Sequence, residues 1–243
     1  MRVVRKPSCT AHPPQGQPSL FSSIKHSTVL ADLTDKGIGF AGTAPKELIT
    51  AIRSRTDHLP KDHFPDIHEA DPDIRRLVTD PAVLDLVRHY LCAEPVMLEC
   101  TLIVTEGGSV SDQIGQQSSF HFDYAGWQSV NVFVYLTDVG EQSAFHTVIS
   151  GTHRRKTIGD ILKQFLSDDE ARERFGNQIT PVLGPAGTVF FENTEAFHKR
   201  QPSPERRVML NILYASHRNW LSKGRSPPAN IHLRDRLYRK LLG

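Results

Sequence analysis

Ser119-Phe120-His121-Phe122-Asp123 and, far downstream, His198 followed by Arg207-Val208-Met209-Leu210-Asn211-Ile212-Leu213-Tyr214 are the stretches on which the reading of this chain turns. Side chains alternate faces along a strand, so His121 and Asp123 are expected to point one way and Phe122 the other. Two ligand-type side chains at that spacing can clasp one ion. A third ligand must come from elsewhere, and His198 is the best placed. It follows Phe190-Phe191-Glu192-Asn193-Thr194 and leads into the apolar run after Arg207. Any single His-x-Asp is cheap in a chain with 12 histidines, as His63-Phe64-Pro65-Asp66 and His68-Glu69 show, so order and surroundings must carry the argument.

Around these stretches the chain changes character once. Residues 1–26, rich in Pro, Ser, Gln and His, read as a loose arm. The pattern tightens between 27 and 39. Residues 44–52 have helical spacing, with Pro45 suited to a first turn. Residues 73–92 carry an apolar stripe broken at Pro81, which predicts two short helices. After this helical front (44–92), strand-like runs occupy 95–105, 131–136, 145–149, 188–192 and 208–215. A largely solvated helical insertion is expected over 158–175. Helices first and then many strands separated by Gly, Pro and Ser turns argue for an all-β core with flanking helices, not for alternating βαβ units. The core is expected over about 95–216. The tail, 230–243, alternates basic and apolar residues and predicts an amphipathic helix. One domain over 27–243 suits this length.

Composition excludes several classes. The chain has 243 residues, 38% hydrophobic and 23% charged, with 29 basic against 27 acidic residues and a formal charge of +2. So near-neutral a balance gives no reason to expect nucleic acid as a partner. The C-terminal run Arg234-Asp235-Arg236-Leu237-Tyr238-Arg239-Lys240 resembles a phosphate-contacting helix, but Asp235 and the low total charge favour a solvated face. No apolar segment predicts a membrane span or a secretory signal. Three cysteines (Cys9, Cys92, Cys100) form no metal pattern and favour a reducing compartment, with Cys92 and Cys100 as small core residues. A cytoplasmic enzyme is the expectation.

Two imidazoles and one carboxylate that leave positions open on the metal are the ligand set of a non-haem Fe(II) oxygenase. A guanidinium fork reads a carboxylate through two parallel hydrogen bonds, which makes Arg207 suited to a dicarboxylate co-substrate. Arg206, its neighbour, would face the opposite way as a solvated surface charge.

Ser119–Asp123, then Leu136-Thr137-Asp138-Val139, then Ser150-Gly151-Thr152-His153, with His198 and Arg207 closing the series, resembles the phytanoyl-CoA dioxygenase family. The resemblance covers about residues 95–216 and departs from the family at Ser150, where proline is usual, a change that touches a turn. It implies a double-stranded β-helix, the jelly-roll of 2-oxoglutarate oxygenases. It further implies that His121, Asp123 and His198 hold Fe(II), that Arg207 pairs with the distal carboxylate of 2-oxoglutarate, and that Phe133 lies beside that co-substrate as well as packing in the sheet. His153 is structural in this reading. Relatives that halogenate replace the carboxylate ligand with a small residue; this chain keeps Asp123, so hydroxylation of a small-molecule substrate with release of succinate and CO2 is the expectation. Tyr124, Trp127, His146, Gln116 and Gln117 are the candidate substrate contacts, each with packing as its alternative. The intact ligand set argues against a non-catalytic jelly-roll.

Overall fold

Pro-rich helix starts and β-branched runs are placed largely as their chemistry dictates in the computed structural model, which describes residues 13, 15–21, 24–108, 118–125 and 128–217. Cys9, the C-terminal tail and the loop carrying Gln116 and Gln117 lie outside the described residues, as does Trp127. The front of the chain forms α1 (His26–Lys36), α2 (Lys46–Thr56), α3 (Pro72–Val78) and α4 (Pro81–Leu91). Asp71 and Asp80 cap α3 and α4, each accepting from two backbone N–H groups of the first turn, with proline directly behind at the first helical position. Pro81 therefore starts the second helix of the pair. Pro45 stands just before α2, one position earlier than the spacing predicts.

The strands are β1 (Ile38–Thr43), β2 (Asp62–Pro65), β3 (Val96–Thr105), β4 (Phe120–His121), β5 (Ser129–Tyr135), β6 (His146–Ile149), β7 (Phe165–Leu166), β8 (Ile179–Val182), β9 (Thr188–Glu192), β10 (His198–Arg200) and β11 (Arg207–Ala215). Between β6 and β8 lie α5 (Ile158–Lys163) and α6 (Asp168–Phe175), so the segment expected to be one helical insertion is two helices with the short strand β7 between them. Every pairing is antiparallel. The large sheet runs β1-β9-β5-β11-β3-β2 and the small one β7-β4-β10-β6-β8. From β3 to β6 and again from β8 to β11 the chain changes sheet at each step. That interleaving is the two-sheet jelly-roll, closed by no barrel seam.

Alternation along the large sheet divides its faces. Val132 and Val134 of β5, Val189 and Phe191 of β9, and Leu210, Ile212 and Tyr214 of β11 pack with Leu33, Ile52, Leu84 and Leu91 of the helices. The other face turns toward the small sheet, where Phe133, Tyr135, Phe190 and Met209 meet Val148 and Val182. Strand β5 is buried along its whole length, as a strand covered on both faces must be. Arg207 and Glu192 fall on this inner face, in step with Met209 and Phe190. Cys100 is buried, but Cys92 is exposed, contrary to expectation, because α4 ends there in a left-handed turn that carries it out of the core. Among the described residues no helix is long and apolar enough to cross a membrane.

Candidate active site

His121 and His198 are brought together by register: they are directly paired across β4 and β10, so their side chains leave the same face and the rings lie 4.5 Å apart. Strand β4 ends at His121, so Asp123 is held not by strand pairing but by its backbone N–H, which donates to the Thr194 carbonyl at 2.7 Å. That bond ties the segment after β4 to the turn before His198. Ligand atoms of His121, Asp123 and His198 all lie within 4.8 Å of one another, a separation that one ion can bridge.

The backs of both rings are satisfied in the same manner. His121 Nδ1 lies 2.9 Å from the Ser119 carbonyl and His198 Nδ1 3.0 Å from the Ala196 carbonyl. A carbonyl accepts only, so Nδ1 carries the proton in each ring and Nε2 keeps its lone pair for a metal. His198 Nε2 faces Asp123 Oδ2 at 3.7 Å. His198 is buried and burial lowers its pKa, keeping the ring neutral. The Asp123 side chain is 54% exposed and Tyr124 64% exposed, so the site opens to solvent on that side.

Arg207 begins β11 at 2% exposure, with Nε and Nη1 buried and without a hydrogen-bond partner. No acidic side chain lies within ion-pair reach of it among the described residues. Burial pushes its guanidinium down to about 10, which still leaves it charged at neutral pH. The Thr105 hydroxyl, directly across the β3–β11 ladder, is likewise buried and unpaired. A buried guanidinium without an anion is costly, and a carboxylate supplied from outside is the group these donors fit. Arg206 turns away from the site as its place in the sequence implies, but it is no free surface charge. It pairs with Glu106 and donates to the carbonyls of Asp57 (3.0 Å) and Leu59 (2.8 Å), strapping the head of β11 to the helical layer.

Beside the cluster of His121, Asp123 and His198 stands His146. Its ring stacks on His198 at 5.2 Å and lies 5.2 Å from Phe133, and it feels the charges of Arg207, His121 and Asp123. Burial pushes its pKa down to about 3, so it is neutral. Phe133 stacks on Phe190 at 4.9 Å and so serves the sheet core as well as the wall beside His146. His153 lies apart from this group: its Nε2 is 3.0 Å from the Thr34 carbonyl, and the ring fits against Gly37, where a Cβ would come within 2.8 Å of it.

Two site residues were not singled out from sequence. Glu192 ends β9 fully buried, with Oε2 2.7 Å from His146 Nε2 and Oε1 3.5 Å from His198 Nδ1. Arg200, across the ladder from His146 and two residues after His198, faces inward with a buried, unpaired Nε, and its charge bears on Arg207. Arg200 falls on the inward face by simple alternation from His198, already suspected, which is the signal that could have found it; for Glu192, alternation gives only the same face as Phe190.

No curated protein sequence matches the chain. Solved structures share its fold at low identity. HygX from Streptomyces hygroscopicus, with nickel and 2-oxoglutarate bound, superposes with a TM-score of 0.59 at 15% identity over 77% of this chain and 85% of its own. The non-heme alpha ketoglutarate dependent epimerase SnoN from nogalamycin biosynthesis gives 0.62 at 14% identity over 84% and 90%. EctD from S. alaskensis, with 2-oxoglutarate and 5-hydroxyectoine, gives 0.61 at 17% identity over 93% and 95%. The family model for phytanoyl-CoA dioxygenase (PhyH) matches residues 45–209, more than half of the chain. With that match, the chain belongs to the phytanoyl-CoA dioxygenase family and is an oxidoreductase of the Fe(II)- and 2-oxoglutarate-dependent kind.

Proposed function

We propose that this protein hydroxylates a small-molecule substrate at a C–H bond, with His121, Asp123 and His198 holding Fe(II) and Arg207 holding the distal carboxylate of 2-oxoglutarate. The observation that carries the reading is a pair of complementary donor sets. Two imidazole nitrogens and a carboxylate converge with no lysine or arginine among the described residues paired to them, and a buried guanidinium with unpaired donors stands on the inner face of the large sheet. A metal-chelating dicarboxylate completes both. When bound, Fe(II) and 2-oxoglutarate supply the oxygen chemistry that couples decarboxylation of the co-substrate to substrate oxidation.

The chain's own part is positioning and exclusion of water. Arg207 and Thr105 fix one end of the co-substrate, His146 and Phe133 wall its side, and the triad fixes the other end. The open side at Asp123 and Tyr124 is where substrate would approach, and Tyr124 is the described residue best placed to touch it. Trp127 and Gln117 are proposed as further contacts from their places in the sequence.

The bound 5-hydroxyectoine of the EctD structure supports a hydroxylated small molecule as product. SnoN is named an epimerase, so outcome is decided by the product and not by the fold. The test is succinate formation from 2-oxoglutarate against a panel of small molecules, with mass analysis of the product. Gain of one oxygen atom is the expected result. An unchanged mass or the loss of two hydrogens would replace hydroxylation by epimerisation or ring closure. His121→Ala is expected to abolish turnover, and full activity in that variant would overturn the site assignment.

A further inference from the structure

Glu192 stands where the fold has no use for a carboxylate. It is fully buried at the end of β9, on the same face as Phe190, where an apolar side chain would extend the packing of Phe133, Phe190 and Val148. Burying a charged or polar group without partners destabilises a protein, so such a group is retained for what it does to its neighbours. Its neighbours are few. Among the described residues, no lysine or arginine pairs with it and neither oxygen has a hydrogen bond of good geometry. The cationic or donor atoms near it are two imidazole nitrogens: His146 Nε2 at 2.7 Å from Oε2 and His198 Nδ1 at 3.5 Å from Oε1.

One of these is the back of a proposed metal ligand. When Nε2 of an imidazole gives its lone pair to a cation, the ring becomes more positive and its Nδ1–H a stronger donor. His198 already donates that hydrogen to the Ala196 carbonyl. Burial raises the Glu192 pKa to about 7, against the opposing pull of His198, and its oxygen 3.5 Å behind the ring stands where an anion favours the metal-bound ring over the free one. The other neighbour supplies the packing. His146 stacks against His198, and its Nε2 lies 2.7 Å from the far oxygen of Glu192, so the packed ring confines the carboxylate beside the ring it adjoins.

We propose that Glu192 is a positioning residue of the metal centre: a buried carboxylate, packed against His146, that backs the His198 ring and raises the affinity of the site for its metal. This rests on the reading of His121, Asp123 and His198 as the metal ligands. It makes two demands of opposite sign. Removing the charge weakens metal binding, and it does not weaken the metal-free fold.

The test uses Co(II) binding to the full chain, followed by calorimetry and by the visible d–d spectrum, with thermal unfolding of the metal-free protein in parallel. Glu192→Gln keeps the shape without the charge, and Glu192→Leu removes both the charge and the hydrogen-bonding atoms. Both variants are expected to lose about 10–100-fold in Co(II) affinity, the usual effect of removing an outer partner of a ligand histidine. Metal-free Glu192→Leu is expected to unfold at or above the temperature of the wild type. His146→Leu is expected to weaken Co(II) binding less than Glu192→Leu, because it frees the carboxylate without deleting it. Co(II) affinity in Glu192→Gln and Glu192→Leu equal to wild type would overturn the proposal. So would a metal-free Glu192→Leu that unfolds at a lower temperature while Glu192→Gln binds Co(II) normally, since that is the pattern of a structural carboxylate. A wild type that binds no Co(II) would overturn the metal-centre reading itself, and the assignment of Glu192 with it.

Discussion

Arg207→Met is the perturbation whose two effects should part most clearly. The guanidinium is 2% exposed at the head of β11, with Nε and Nη1 unpaired, and a methionine of similar length can lie against Met209 and Phe133. In the metal-free protein the substitution removes a desolvated charge that nothing compensates, so stability should be unchanged or higher. With 2-oxoglutarate bound the sign reverses. Each hydrogen bond to a charged group contributes about 1.5–3 kcal/mol net, and a guanidinium fork makes two. A loss of about 3 kcal/mol or more corresponds to at least about 100-fold in Kd, since each 1.4 kcal/mol is tenfold. The assay is calorimetric titration of the Ni(II)-loaded protein with 2-oxoglutarate, which isolates binding from turnover, alongside thermal unfolding of the metal-free chain. A variant that binds 2-oxoglutarate as the wild type does would refute the role of Arg207. A variant that loses stability without metal or ligand would mark Arg207 as a structural cation instead.

Asp123→Ala should keep the fold, because the Asp123 side chain is 54% exposed and its segment is held through the backbone N–H, while losing metal affinity and turnover together; circular dichroism and a Co(II) titration check both halves. The hydrogen-bonded guanidinium of Arg174 holds the Asp160 carboxyl below the usual carboxylate range. A depressed pKa contributes stability above the unfolded value of about 3.9, and that contribution is lost as pH falls through the folded one. The difference in melting temperature between wild type and Arg174→Ala should therefore be full near neutral pH and shrink as pH falls below about 4; a difference that is the same at all pH values would contradict it. Cys92 is exposed, while Cys100 is buried and burial pushes its thiol up. Peptide mapping after brief alkylation should thus find Cys92 modified and Cys100 protected until the chain is unfolded.

What the sequence made legible was the chemistry, and what it hid was mostly pairing. His121, Asp123, His198 and Arg207 announce themselves because few other roles need those residue types in that order. Long buried strands such as β5 and β11 are equally readable, since β-branched and aromatic runs have little else to do. Strands β4, β7 and β10 are only two or three residues long, and their existence depends on the partner strand and not on local propensity. The His-x-Asp spacing predicts one strand, yet the strand ends at His121 and a backbone bond to Thr194 places Asp123. Strand β1 adjoins helix-forming sequence and pairs with β9 from the far side of the chain, so its partner is invisible locally. Glu192 escaped notice because an acid at the end of an apolar run usually marks the exit to solvent. Only the second sheet, folding over it, makes it a buried neighbour of His198.

The central claim is that one centre built by His121, Asp123 and His198 takes Fe(II) and, beside Arg207, a chelating 2-oxoglutarate. Anaerobic addition of Fe(II) and then 2-oxoglutarate to the metal-free protein tests it directly, through the visible metal-to-ligand charge-transfer band that forms only when the keto acid chelates the iron. The account predicts a band that saturates at one equivalent of each, is absent in His198→Ala, and needs a far higher concentration of 2-oxoglutarate in Arg207→Met. No band in the wild type, or an undiminished band in His198→Ala, would contradict it.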